Sequence, residues 1–314
     1  MTPQAGVFAC QSWGEHILQL KLPTSDVKLT GLSVSQKNAL KQAYPRFAIT
    51  MGRDISKDGI TCRACRLDHP PAVSPDDLTR DGLYTPRIIR RHISGIEVTG
   101  INFEARIGLG AGHTETSLGV VQEDELPRAN VIENFLRIFS AYQALAVNGV
   151  MLHSAGLVFN NQAYIFSGRS NAGKTTLTRK AYEKGAWVLS DDINLVLPGK
   201  DGYQAHAVPF SGEFGRTLDH RGGKDAYPVA GIILLEQGDQ LGTEPVRPSR
   251  AAARLLTGCP FVNMDARESE RLFDAVTRLV ARVPVIRLTS RRDDDMDEII
   301  NKIQTEFGYG KQPK

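Results

Sequence analysis

Two short runs of this sequence carry residue types that can handle a phosphoryl group. The first is Gly168-Arg169-Ser170-Asn171-Ala172-Gly173-Lys174-Thr175, a full match to the spacing G-x-x-x-x-G-K-[ST], with Thr176 directly behind it. In that spacing the glycines let the backbone turn so that successive N–H groups face phosphate oxygens. The lysine reaches the outer phosphates, and the hydroxyl of Thr175 can join the shell of a Mg²⁺ ion. The second run is Asp191-Asp192, 17 residues after Lys174. One carboxylate of such a pair can act on the metal while the other accepts a proton from an attacking hydroxyl. Aspartates also serve as helix caps and in turns, but a pair that follows an apolar run and a phosphate loop favours the chemical reading.

A phosphate loop works between a buried strand and the N-terminus of a helix, whose dipole adds positive potential to the cradle. Ala163-Tyr164-Ile165-Phe166 reads as that strand. Residues 174–184 hold no Gly or Pro and read as that helix, stopped by Gly185. Trp187-Val188-Leu189-Ser190 then reads as a second strand, which delivers the aspartates to the carboxyl end of a sheet, where ligands collect. Upstream, residues 150–159 and the Asn160-Asn161 turn form the first arm of a hairpin with the pre-loop strand. That hairpin carries His153 toward the mouth of the site, or else holds it as a satisfied strand histidine. Downstream, the glycines of Ser211-Gly212-Glu213-Phe214-Gly215-Arg216 read as a mobile loop. Glu213 is a candidate second metal ligand and Arg216 a candidate neutraliser of the moving phosphoryl charge; a solvated turn with surface charges is the other reading.

The remaining pattern sorts into a β-rich region over 1–125 and an α/β region over 126–314. The first has alternating apolar residues at Leu18, Leu20 and Leu22, then at Ile96, Val98, Ile101, Phe103, Ala105 and Ile107, with a slip of phase at Gly100. Residues 68–86 read as a loop, and Gly108 to Gly112 as a hairpin turn. Cys62 and Cys65 read as an incidental pair in a loop, too few to hold a metal. The cluster Arg87, Arg90, Arg91 and His92 reads as a solvated strand face. The second region opens with a strong helix over 127–147, its apolar stripe running from Val131 through Phe135, Ile138, Phe139, Tyr142 and Leu145 to Ala146. Further on, residues 203–210 read as an edge strand, 229–236 as a buried strand, 249–257 and 268–282 as helices, 284–289 as a strand and 293–307 as a helix with an acidic start.

Of 314 residues, 41% are hydrophobic and 23% charged, as in soluble globular chains. No apolar run approaches the ~20 residues of a membrane span, and the N-terminus lacks a secretory layout. A cytoplasmic protein with no membrane partner is expected. A formal net charge of +3 with no basic stripe is too weak to argue for a nucleic-acid surface, and no nucleic-acid partner is expected.

Leu152-His153, the loop from Gly168 to Thr176, and Val188 to Asp192 together resemble the HPr kinase/phosphorylase family and its HPr-kinase-like relatives. The resemblance lies in two coincident spacings, 21 residues from His153 to Lys174 and 17 from Lys174 to Asp191. It is good over residues 150–197 and weak over the rest of the second region. It implies a phosphate-loop kinase domain of the HPr kinase/phosphoenolpyruvate carboxykinase type, working with ATP and Mg²⁺. On this resemblance Asp191 would be the general base toward a serine hydroxyl, Asp192 would act on the metal, and His153 would sit close to the base. The acceptor would be the hydroxyl of a protein, peptide or small molecule, and a homo-oligomer is left open. The sequence departs from the family where Asn171-Ala172 replaces a further glycine, where Thr175 replaces the common serine, and throughout residues 1–125. A nucleotide-binding regulatory switch with weak or no phosphoryl transfer is the alternative reading.

Overall fold

Alternation of apolar and polar residues gives each N-terminal strand one buried face, and that face is the start of the first of two sheets. The computed structural model describes residues 10–49, 59–72, 86–92, 95–109, 115–169, 171–218 and 222–307. Most of the expected loop over 68–86, most of the turn after Gly108, Ser170, and the side chains of Arg87, Arg90, Arg91 and His92 lie outside the described residues. The chain divides into two compact units, Met1–Ser140 and Ala141–Lys314, a division that falls within a helix rather than just before it. Both units contain a mixed sheet, so the protein is a mixed α/β protein. Among the described residues no helix is long and apolar enough to cross a membrane.

The first unit contains β1 (His16–Leu20), β2 (Val27–Leu32), α1 (Val34–Ala43), β3 (Ala48–Ile49), β4 (Ile60–Arg66), β5 (Arg87–His92), β6 (Gly95–Thr99), β7 (Glu104–Gly108) and β8 (Thr116–Val120). Its strand order is β3-β1-β2-β4-β8-β7-β6-β5, parallel where β2, β4 and β8 adjoin. Leu18, Leu20, Ile96, Val98, Phe103, Ala105 and Ile107 are buried, while Ile101, in the break between β6 and β7, is exposed. Cys62 and Cys65 lie on β4 and not in a loop. Three apart on a strand, they face opposite sides. The isolated bridge Gln11–Arg66 brings Cys10 beside Cys65, and these two form a disulfide. Cys62 is a buried free thiol.

Then α2 (Ala129–Ala146) leads to β9 (Val150–Phe159), β10 (Gln162–Ser167), α3 (Lys174–Glu183), β11 (Trp187–Ser190), β12 (Ile193–Gly199), β13 (Gly202–His206), β14 (Ala226–Gln237), β15 (Gly242–Pro245), α4 (Pro248–Thr257), α5 (Ser269–Arg282), β16 (Val285–Ser290) and α6 (Met296–Glu306). The apolar face of α2 is wider than a stripe: Ile132, Leu136 and Ala144 are buried along with the expected positions, and Ala146 alone of that set is exposed. Asn160 and Asn161 both take left-handed backbone (φ +50° and +63°), the requirement of a tight two-residue hairpin.

Two features of the second sheet position the site. First, β10 is parallel to β14 and β14 to β16, so three carboxyl ends open on one side. Second, β11 and β12 run one after the other along β9, with Val188 opposite Leu157 and Ile193 opposite His153. The register slips between Val188 and Ser190, and strand geometry lapses at Asp191 and Asp192 before β12 resumes. The expected edge strand near residue 203 is interior: β13 pairs with both β12 and β14. Its alternation reports one covered face, which an interior strand shares with an edge strand.

Candidate functional site

At the end of β10 the chain must leave the sheet and enter α3 within a few residues. A Cβ on Gly168 would fall 2.8 Å from the Leu235 carbonyl oxygen and 3.0 Å from the Ala172 methyl, so no side chain fits there. Gly173 has open space around it, but its φ of +98° suits glycine. As the N-cap residue of α3 it supplies no capping side chain, so the N–H groups of the first turn have none to bind. The Lys174 ammonium donates to the carbonyls of Gly168 (2.8 Å) and Arg169 (3.2 Å). Burial lowers the pKa of Lys174 from the usual lysine range, and the charge of Asp192 works in the opposite sense. Thr175 and Thr176 are exposed toward the cavity that the loop borders.

That cavity, about 520 Å³, is where the predicted residues meet: His153, Asn171, Ala172, Gly173, Lys174, Thr175, Thr176, Asp191, Asp192 and Glu213 all line it. The two aspartates are nevertheless used differently. Asp191 is only 5% exposed. Its Oδ1 accepts the N–H of Gly212 (2.7 Å) and its Oδ2 that of Phe214 (3.1 Å). A Cβ on Gly212 or Gly215 would come within 2.7 or 2.4 Å of an Asp191 oxygen, which is why the loop reads Gly-Glu-Phe-Gly. Phe214 meets Tyr182 of α3 edge-on, with ring centroids 6.0 Å apart, and the Arg179 guanidinium lies 5.4 Å from its ring. Asp191 thus ties down the segment that holds Glu213 at the cavity.

Asp192 faces the cavity. Its Oδ1 lies 3.2 Å from His153 Nδ1, and its charge acts on Lys174. The backbone fixes both partners: the Asp192 carbonyl accepts from the Ser154 N–H (2.9 Å), and the His153 N–H donates to the Gly258 carbonyl (2.7 Å). Arg216 is exposed, in the turn Gly215–Thr217, and is not among the residues lining the cavity. Arg169 and Gly168 line a neighbouring cavity, and Ser170 lies outside the described residues.

Sequence reasoning missed Arg291 and Arg292, which follow β16 and line the first cavity. Part of their signal lies in the sequence, two arginines just after an expected strand; that this strand is parallel to β14, so that ligands gather at its end, comes from the structure. Asp294 holds this turn. It is buried, accepts the Arg291 N–H (2.7 Å) and Nε–H (2.9 Å), and has its pKa lowered first by that backbone bond, with the Arg291 guanidinium adding to it. Lys180 of α3 donates to the carbonyls of Arg292 (2.6 Å) and Asp294 (2.8 Å). Asp295 caps α6, accepting from the Asp297 N–H, in keeping with the reading of the acidic run as a helix start.

Among the described residues no group of three or more His, Cys, Asp or Glu is placed to hold a metal ion. Thr175, Asp192 and Glu213 do share the cavity. Such a sparse oxygen set suits Mg²⁺, which takes one or two carboxylates and completes its shell with water and phosphate oxygens.

No curated protein matches this chain. Residues 121–304, which include all of these cavity residues, match the family described as SynChlorMet cassette protein ScmC. That match spans more than half of the 314 residues, and the chain belongs to that family.

Proposed function

We propose that the protein is an ATP- and Mg²⁺-dependent kinase that transfers the γ-phosphoryl group to a serine or other hydroxyl, through a domain of the HPr kinase/phosphoenolpyruvate carboxykinase type. One observation carries the reading. A phosphate loop with its lysine and a carboxylate–imidazole pair (Asp192 and His153, 3.2 Å apart) face one cavity at the carboxyl ends of parallel strands. A protein that only held a nucleotide would have no use for the second element.

In this mechanism the α3 N-terminus and Lys174 hold the β and γ phosphates, while Arg292 and Arg291 offset charge on the γ group. Mg²⁺, when bound, draws charge from the phosphate oxygens, and Thr175 with Glu213 would hold it, which leaves Asp192 free for the proton. The acceptor oxygen bonds to the γ phosphorus as the bond to the β,γ-bridging oxygen breaks, and ADP leaves. The hydroxyl proton passes to the Asp192 carboxylate. With its proton on Nδ1, His153 orients that carboxylate. We assign the proton to Asp192 and not, as the resemblance implies, to Asp191, because both Asp191 oxygens already accept backbone N–H groups. Only 5% exposed and bonded to the loop at both oxygens, Asp191 is committed to holding that loop.

The test is incubation of the purified protein with γ-labelled ATP, Mg²⁺ and a cell extract, beside Asp192→Asn. Label should enter an acceptor with the wild type and fall by roughly 10²–10⁴-fold in the variant, the usual worth of a general base. Nucleotide binding by both proteins without transfer by either would replace the kinase with a nucleotide-dependent switch.

A further inference from the structure

A second cavity, about 1340 Å³, lies on the other side of the phosphate loop, between the end of β14 and α4. His153, Asn171, Ala172, Leu235 and Gln237 line both cavities, so the two share a wall that includes the loop and the histidine. The smaller chamber holds Lys174, Lys180, Arg291 and Arg292, a set suited to a triphosphate. The larger exceeds the ~300–1,000 Å³ of ordinary small-ligand pockets and has room for a chain segment.

The wall that α4 presents to this second cavity is Arg250, Ala253, Arg254 and Thr257, the i, i+3, i+4, i+7 face of the helix. The opposite face, Ala251, Ala252 and Leu255, is buried in the core. Small Ala253 leaves space between two guanidinium groups. Arg169 of the phosphate loop adds a third. Against them stands one lining carboxylate, Glu236, and it is already engaged by Arg254 (2.7 Å) and by Arg287 (3.5 Å). Arg169 and Arg250 have no carboxylate partner among the described residues, and both are exposed. The chamber is therefore a basic one, with unspent hydrogen-bond donors on two sides.

We infer that the hydroxyl acceptor enters through this α4-side chamber and is an acidic peptide segment, its carboxylates bound by Arg250 and Arg169 while its hydroxyl reaches the His153–Asp192 pair. This rests on the kinase reading, and it adds the direction of entry and the charge of the substrate. Guanidinium groups bind carboxylates through paired N–H donors, so acidic residues flanking the acceptor hydroxyl are what these two arginines select.

The experiment measures binding apart from transfer. Three fluorescein-labelled serine peptides of equal length, one flanked by Asp and Glu, one by Asn and Gln and one by Lys and Arg, are titrated with the full chain and followed by anisotropy, with a non-hydrolysable ATP analogue present. The acidic peptide should bind at least about tenfold more tightly than the neutral one, and more weakly as salt rises. Arg250→Glu, an exposed change, should weaken that peptide by about tenfold or more, Arg250→Lys by less, and neither should alter affinity for the ATP analogue. Equal binding of all three peptides, or an acidic peptide indifferent to Arg250→Glu, overturns the inference. So does a parallel loss of nucleotide affinity, which would mean that this chamber holds the nucleotide. Should the protein label acceptors in extract yet show no preference for acid, this inference alone fails; absence of transfer to any acceptor removes the kinase reading, whatever the peptides do.

Discussion

Each sheet of this protein contains three adjacent parallel strands, β2-β4-β8 in the first unit and β10-β14-β16 in the second, and in each the first of the three leads into a helix of ten residues. The two junctions differ in how the helix begins. At α1 the N-cap is Ser33, whose hydroxyl accepts the Gln36 N–H (3.1 Å) while the Gln36 side chain accepts the Ser33 N–H (3.0 Å), a complete capping box. At α3 the N-cap is Gly173, which offers nothing. The first helix closes its start with its own side chains. The second has no side-chain cap, and a buried lysine and two threonines stand at its start. On the kinase reading, parallel strands thus serve architecture in one place and recognition in the other, and the difference is made by the residues at the turn.

The contrast can be broken most severely at Lys174. Lys174→Ala removes a charged donor, and nucleotide affinity should fall by roughly ten- to hundredfold, about 1.5–3 kcal/mol. Isothermal titration with ATP and Mg²⁺ measures this; an unchanged affinity would disprove the loop assignment. Gly173→Ala is the next test. The added methyl meets nothing within 4 Å, so the cost is backbone strain at φ +98° alone, roughly 1–2 kcal/mol in urea unfolding. Because that strain can only be relieved by turning the first-turn N–H groups, nucleotide affinity should drop with it. At the other junction, Ser33→Ala should cost about 1 kcal/mol of stability and leave nucleotide affinity as it was. Equal effects of the last two variants on both readouts would erase the distinction.

Much of the second junction is legible in the sequence, for a physical reason. Phosphate binding by backbone groups demands glycine at fixed positions and a lysine at a fixed distance, so type and spacing together specify the geometry. The hairpin turn at Asn160-Asn161 and the stop at Gly185 (φ +86°) are legible for the same reason, since few residues tolerate left-handed backbone. What the sequence hid was pairing. The alternation of β13 did not tell an interior strand from an edge. The C-x-x-C spacing did not reveal that Cys65 meets Cys10, 55 residues away. Nor did adjacency of Asp191 and Asp192 disclose that one is enclosed by a loop some 20 positions on, because that loop's glycines declare themselves only once the carboxylate they wrap is in place. Arg291 and Arg292 went unread because their meaning comes from the parallel order of β10, β14 and β16, which spacing does not encode.

The smallest effect expected at α3 is a matter of sign. Burial has lowered the pKa of Lys174 in the free protein, with Asp192 only partly opposing the shift. A bound polyphosphate favours the ammonium and raises that pKa again, so binding takes up protons wherever free Lys174 is partly neutral. Nucleotide affinity should therefore weaken as pH climbs through the lowered value, by at most tenfold per unit, and begin to weaken below the usual lysine range. Folding stability moves the other way. Between the lowered folded pKa and the unfolded one, the unfolded chain binds more protons than the native one, so this residue's contribution to stability increases with pH over that same window. The hydroxyl and the amide that close the capping box of α1 do not titrate in this range. Titrations of nucleotide into wild type and Lys174→Met at several pH values from 7 upward isolate the effect, the difference between the two slopes belonging to Lys174. Parallel slopes would mean that the ammonium does not meet the phosphates, and that α3 differs from α1 only in lacking a cap.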